Sequence, residues 1–186
     1  EDLDNQKQIV IKVNSKEDMN NHEFSIMERM SGVKGFPVVH CAGVHDGRPF
    51  IVQEKLGPSI DEILVKRGRN FSLKCTMEIG LQILERLEFL HDHGYIHCDL
   101  KPENVLLAAD GSPRMVDFGF SRFLKEGERA TTLAGALEYL APEMCREESY
   151  GVGVDWWCLG IFIYKMTTGK TPFWHRDDAG VRKNIA

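Results

Sequence analysis

Between Tyr95 and Leu107 the chain reads Tyr-Ile-His-Cys-Asp-Leu-Lys-Pro-Glu-Asn-Val-Leu-Leu, setting a carboxylate (Asp99), an ammonium (Lys101) and a carboxamide (Asn104) on one short stretch. Pro102 forbids helix continuation, and the apolar run Val105 to Leu107 reads as a short buried strand that anchors the exit of the loop. A loop pinned at both ends holds its polar groups still. The trio suits phosphoryl transfer, in which a carboxylate orients the attacking hydroxyl, a lysine neutralises charge on the moving group and a carboxamide oxygen binds Mg²⁺.

A polar surface loop after a helix is the plainer reading of His97-Cys98-Asp99 alone. With Lys101-Pro102-Glu103-Asn104 added, the run resembles the catalytic loop of eukaryotic protein kinases in its serine/threonine form. That resemblance implies that Asp99 and Lys101 are catalytic and that Asn104 is a metal ligand.

The elements that must position these groups are legible on either side. Ile9-Val10-Ile11-Lys12-Val13 is a β-branched strand with one cation set inside it, and a buried ammonium needs a partner. A helix expected over roughly Lys16 to Met30 supplies it. Glu23, Met27 and Met30 are spaced 4 and 3 and share a face, whereas Glu28 points about 140° away by the helical period. Glu23 is therefore the expected partner of Lys12, with Glu17 and Glu28 solvated. By the resemblance, Lys12 holds the α- and β-phosphates of ATP.

Asp46-Gly47 between Val38–Val44 and Phe50–Glu54 signals a hairpin. Its second strand runs into Gln53-Glu54-Lys55-Leu56-Gly57-Pro58-Ser59, which resembles the interlobe hinge of the casein kinase I family. By that match Gln53 is the gatekeeper, and backbone groups of Glu54 and Leu56 meet the adenine edge. Leu106 belongs to the same implied nucleotide site.

A helix is expected from Ser72 to His93, with Met77, Leu81, Leu84 and Leu87 as its core stripe and Gly94 ending it. After the catalytic loop, Asp110-Gly111-Ser112-Pro113 turns a second hairpin that delivers Asp117-Phe118-Gly119. The family pattern makes Asp117 a second Mg²⁺ ligand and packs Phe118 toward the glutamate helix. The segment Phe120 to Tyr139 leads to Ala141-Pro142-Glu143, which closes the activation segment in kinases. Together with Tyr150 to Gly160 this part is similar to the AGC group. Asp155 opens a helix apolar nearly all round, expected to be buried, and in the family this aspartate braces the catalytic loop.

Three positions depart from the pattern: Cys98 for an arginine that reads activation-segment phosphate, Ala136 for a threonine that bonds the catalytic pair, and Val10 for a small alanine. Ala136 is expected to loosen Asp99 and Lys101, and Val10 to tighten the nucleotide pocket. Glu1 to Gln8 contains no glycine, and the chain ends at Ala186, so the expectation is the middle of a kinase domain without its Gly-rich loop or later helices.

Composition bounds the rest. A net charge of −5 gives no basic footprint for nucleic acid. The longest apolar run, Trp156 to Tyr164, falls short of the roughly 18 residues of a membrane span, and the acidic start Glu1-Asp2-Leu3-Asp4 is no signal peptide. Five cysteines without C-x-x-C spacing point to reduced thiols in a cytosolic or nuclear protein. His91 and His93 fit a helix end through its dipole, with no zinc-type set around them.

The fold expected is α+β and bilobal, protein-kinase-like but truncated: a partial small lobe over 1–54, a hinge over 55–59 and a partial helical lobe over 60–186. The activity implied is transfer of the γ-phosphoryl group of MgATP to a protein Ser/Thr hydroxyl. A pseudokinase or scaffold that binds partners without turnover is the rival, and a small-molecule kinase is disfavoured by Ala141-Pro142-Glu143. Because a neutral thiol at Cys98 cannot pair bidentately with phosphate, Thr131 and Thr132 are not the on-switch. The intact enzyme should stay active when Thr131→Ala and Thr132→Ala are combined; abolished transfer would refute this.

Overall fold

The computed structural model describes residues 8–13, 22–68 and 70–186. Asp46 (φ 50°) and Gly47 (φ 70°) both adopt the left-handed conformation that a two-residue hairpin needs. They join β2 (Val39–His45) to β3 (Arg48–Glu54), with His45 opposite Arg48. On its other side β3 pairs antiparallel with β1 (Ile9–Val13), giving the order β1-β3-β2 and placing Lys12 opposite Ile51. Between β1 and β2 in sequence lies α1 (His22–Met30), whose Ile26, Met27 and Met30 are buried. The helix expected from Lys16 thus has its described part from His22, and its first residues lie outside the described ones.

The chain leaves the sheet in an extended stretch zipped to β5 (Val105–Leu107): Gly57 N–H donates to Leu107 O at 2.7 Å, and Leu107 N–H to Pro58 O at 3.1 Å. Ser59 then starts α2 (Ile60–Arg67) with a reciprocal cap, its hydroxyl accepting from Glu62 N–H and its own N–H reaching the Glu62 carboxylate. Ser72 caps α3 (Leu73–Asp92) in one direction, its hydroxyl accepting from Cys75 N–H.

The core face of α3 differs from the expected stripe. Thr76, Ile79, Gly80, Ile83, Leu87 and Leu90 are buried, while Met77 and Leu81 are 51% and 57% exposed. Of the expected four, Leu87 is core and Leu84 is half-buried against it. Apolar residues occupy two faces of this helix. The partner, α5 (Gly153–Thr168), takes the face carrying Gly80, where a β-carbon would sit 3.4 Å from Ile163 Cδ1 and the two helices approach closely. Helix α5 is buried as expected through Val154, Asp155, Cys158, Leu159, Ile161, Phe162 and Met166, yet Trp156 and Tyr164 reach the surface.

Short pairings shape the ground between these helices. β4 (Tyr95–Ile96) pairs with β7 (Arg122–Phe123), and β5 pairs with β6 (Pro113–Met115) through Val105 opposite Met115. Two further helices, α4 (Pro142–Cys145) and α6 (Asp178–Ile185), complete the helical part. A small sheet beside a larger helical part is the α+β architecture the pattern called for. No described helix is long and apolar enough to cross a membrane.

The two faces of α3 are separable by experiment. Ile83→Ala should cost about 2–5 kcal/mol in urea unfolding as a core truncation, while Met77→Ala should stay within about 0.5 kcal/mol. Equal losses would contradict this orientation of the helix.

Candidate active site

The loop between β4 and β5 takes its shape from a carboxylate distant in sequence. Asp155 is fully buried, and its Oδ2 accepts from His97 N–H at 2.8 Å while Oδ1 accepts from Cys98 N–H at 2.9 Å. His91 Nε2 lies 2.8 Å from the same Oδ2. His91 lies in the last turn of α3, as expected, and the structure adds a partner the sequence did not show: its largely covered side chain engages Asp155, and its ring meets Trp156 edge-on. His93 alone stays exposed, against Phe89 O.

Held this way, Cys98 adopts φ 64°, a strained value for a residue with a side chain, and the chain turns to present Asp99. The Asp99 carboxylate is 1% exposed and fully engaged. Lys101 Nζ donates to Oδ2 at 2.7 Å, and Asn104 Nδ2 donates to Oδ2 at 2.8 Å and to Asp99 O at 2.9 Å. Ala136 N–H donates to Oδ1 at 3.0 Å. Position 136 thus contributes a main-chain bond to the carboxylate, one that does not depend on the hydroxyl missing from Ala136. Gly135 makes the approach feasible: at φ 99° a β-carbon there would fall 2.4 Å from Cys98 O.

Lys12 Nζ meets Glu23 Oε1 at 2.6 Å, as the helical spacing predicts, and lies 4.0 Å from Asp117 Oδ1. Asp117 also has a left-handed backbone, φ 65°. Its neighbour Val116 donates N–H to Asn104 O at 3.0 Å, which ties the stretches carrying Asn104 and Asp117 together. Phe118 is fully buried, its ring 5.1 Å from His97 and 6.1 Å from Phe36, in the cluster that holds Ile26 and Met27 of α1.

At the hinge the fit is narrower. Glu54 N–H is spent on Val38 O at 2.9 Å, and its carboxylate accepts from Val38 N–H at 2.9 Å. Its N–H is therefore not available to an adenine edge. Leu56 and Leu106 are half-buried on the two sides of the hinge-to-β5 zipper. Val10 is 41% exposed on the edge strand β1.

Among the described residues no group of three or more His, Cys, Asp or Glu is placed to hold a metal alone. Asp117 and the Asn104 carbonyl oxygen are hard donors, and Mg²⁺ commonly takes one or two such protein ligands and completes its shell with phosphate oxygens and water. The residues present fit that habit.

Two residues escaped the sequence reading. Lys165 of α5 bonds Asp61 at 2.7 Å and Glu103 at 2.9 Å, joining α2, the loop and α5. Burial opposes its charge, but the two carboxylates outweigh that and raise its pKa. A lone cation in an apolar helix was the available signal, as at Lys12. Ser121, buried in the stretch before β7, donates its hydroxyl to His97 O at 3.2 Å; nothing in its local pattern marks it.

Burial, reinforced by Asp155, pushes the Cys98 thiol up to about 12, and burial likewise raises Cys158 well above the thiol range. Burial also holds His97 below its usual value and thus neutral, so that its Nδ1 accepts from Asp99 N–H at 3.3 Å. In the folded protein at about pH 8.5, iodoacetamide should label exposed Cys41 and spare Cys98 and Cys158, since the thiolate is the reactive form. Mass spectrometry showing Cys98 modified as fast as Cys41 would contradict this environment.

A protein kinase domain profile matches residues 2–186. Over 129 residues the chain is 40% identical to the cAMP-dependent protein kinase catalytic subunit PRKX of Homo sapiens, covering 69% of this chain and 35% of that one. It is 36% identical over 141 residues to serine/threonine-protein kinase dkf-1 of Caenorhabditis briggsae, covering 73% and 19%. A probable cAMP-dependent protein kinase catalytic subunit of Encephalitozoon cuniculi is 32% identical over 157 residues, covering 84% and 48%. The chain therefore spans less than half the length of these relatives. With the match running over nearly all of it, and with a buried Asp99 engaged from three sides and a Lys12–Glu23 pair reaching Asp117, the chain belongs to the protein kinase domain family.

Proposed function

We propose that this chain carries the catalytic centre of an ATP-dependent protein serine/threonine kinase. The observation that supports it best is the Asp99 carboxylate, oriented by Lys101, Asn104 and the Ala136 amide. Lys12, fixed by Glu23, lies within 4.0 Å of Asp117.

In this reading ATP lies between the sheet and the loop, its adenine against the Glu54 carbonyl, Leu56 and Leu106, and its α- and β-phosphates toward Lys12. Mg²⁺, held by Asn104 and Asp117 with phosphate oxygens, supplies charge neutralisation when bound. Asp99 orients the substrate hydroxyl. The oxygen of that hydroxyl bonds to the γ-phosphorus as the bond to the β,γ-bridging oxygen breaks. ADP departs, and the hydroxyl proton passes late to Asp99. Lys101 offsets charge on the transferring group.

Docking of partners without turnover is the rival reading, and the intact polar set, Lys12 with Glu23 and Asp99 with Lys101 and Asn104, speaks against it. The protein substrate is read from Ala141-Pro142-Glu143 and from the names of the relatives. The five free thiols fit a reducing compartment, cytosol or nucleus.

Asp99→Asn in the intact enzyme should lower kcat on a mixed Ser/Thr peptide library by about 10²–10⁴, with the KM for ATP little changed. Lys12→Met should weaken nucleotide binding itself. Undiminished transfer by Asp99→Asn, or preference for a sugar or aminoglycoside acceptor, would refute the proposal.

A further inference from the structure

Ala136 reaches Asp99 only if the stretch before it is held in place, and that stretch has little regular structure of its own. Between Phe120 and Tyr139 there are only the two residues of β7 and one short 3-10 turn, Leu137–Tyr139. Its anchors come from the loop ahead of α5. Ala130 and Tyr150 exchange main-chain bonds, N–H to O at 2.9 and 2.8 Å. Arg129 reaches Ser149 Oγ at 3.0 Å and Ser149 O at 2.5 Å, at the surface. The third anchor is of another kind. The Tyr150 side chain is 1% exposed, and its hydroxyl donates to Thr132 O at 2.5 Å.

Thr132 lies four residues before Ala136. Between them Ala134 is buried in one cluster with Cys98, Tyr150 and Val154, and Gly135 rests on Cys98 O. From the Tyr150 hydroxyl to the Asp99 carboxylate there is thus a continuous path of packed or bonded groups. Arg122 and the neutral Cys98 thiol flank the same hydroxyl.

We propose that Tyr150 is a positioning residue for the transfer reaction: by holding the Thr132 carbonyl, its hydroxyl fixes the amide that orients Asp99, with no modification of the segment. The role rests on the kinase reading above. The surface contacts of Arg129 exchange readily with water. The buried hydroxyl does not, and deleting it leaves the Thr132 carbonyl without this donor.

The test is Tyr150→Phe in the intact enzyme, which keeps the ring that fills the buried slot and removes one oxygen. Amides from Ala130 to Ala136 should exchange hydrogen about tenfold faster or more, with α3 and α5 unchanged. The kcat for peptide should fall about five- to twenty-fold with the KM for ATP within about twofold. Combining it with Thr131→Ala and Thr132→Ala should add no further loss. Exchange and kcat both within about twofold of the parent would overturn the positioning role, as would faster exchange throughout α5 with kcat and ATP affinity falling together. Those outcomes, with Asp99→Asn inactive, leave the kinase reading standing. Full transfer by Asp99→Asn would remove that reading and the positioning role with it.

Discussion

The burial of Asp155 is the constraint on which the loop depends. A carboxylate with no solvent exposure is costly unless donors surround it, and here His97 N–H, Cys98 N–H and the His91 ring do so. The need is mutual. Those two amides belong to a turn with no helix or long strand to satisfy them, so helix and loop each complete the hydrogen bonding of the other. The turn they fix throws Asp99 toward Lys101, Asn104 and Ala136.

Two of the four described non-glycine residues with left-handed backbone lie at the candidate site. Cys98 and Asp117 both hold left-handed backbone without being glycine, each at a cost of about 1–3 kcal/mol. Neighbouring bonds enforce them: Asp155 on one side of Cys98, and Val116 N–H on Asn104 O just before Asp117. The ring contacts of Phe118 with His97 and Phe36 fill the space below. Rigid surroundings thus set the two carboxylates, Asp99 and Asp117, at different exposures, 1% and 44% of the side chain.

What could be read from the sequence was whatever a side chain announces. Asp46-Gly47 fixed a turn because only certain residues tolerate its angles, and Lys12 named Glu23 because an ammonium in a strand needs a partner at helical reach. What stayed hidden had no side-chain signature or had its partner far away. The bond from Ala136 is made by an amide every non-proline residue carries. Gly80 contributes nothing to an apolar stripe, yet it decided which face of α3 meets α5, and Met77 and Leu81 were left outside. His91 read only as an imidazole at a helix end because its partner lies 64 residues on.

The distance between His97 and Asp155, 58 positions along the chain, has a consequence for how this protein comes into being. Contacts of such long separation form late, and a chain emerging from the ribosome displays Asp99 and Lys101 well before α5 exists to shape the loop around them. In a nascent chain the loop therefore stays without its buried brace until the later helix has docked, and its final shape arrives together with the finished core.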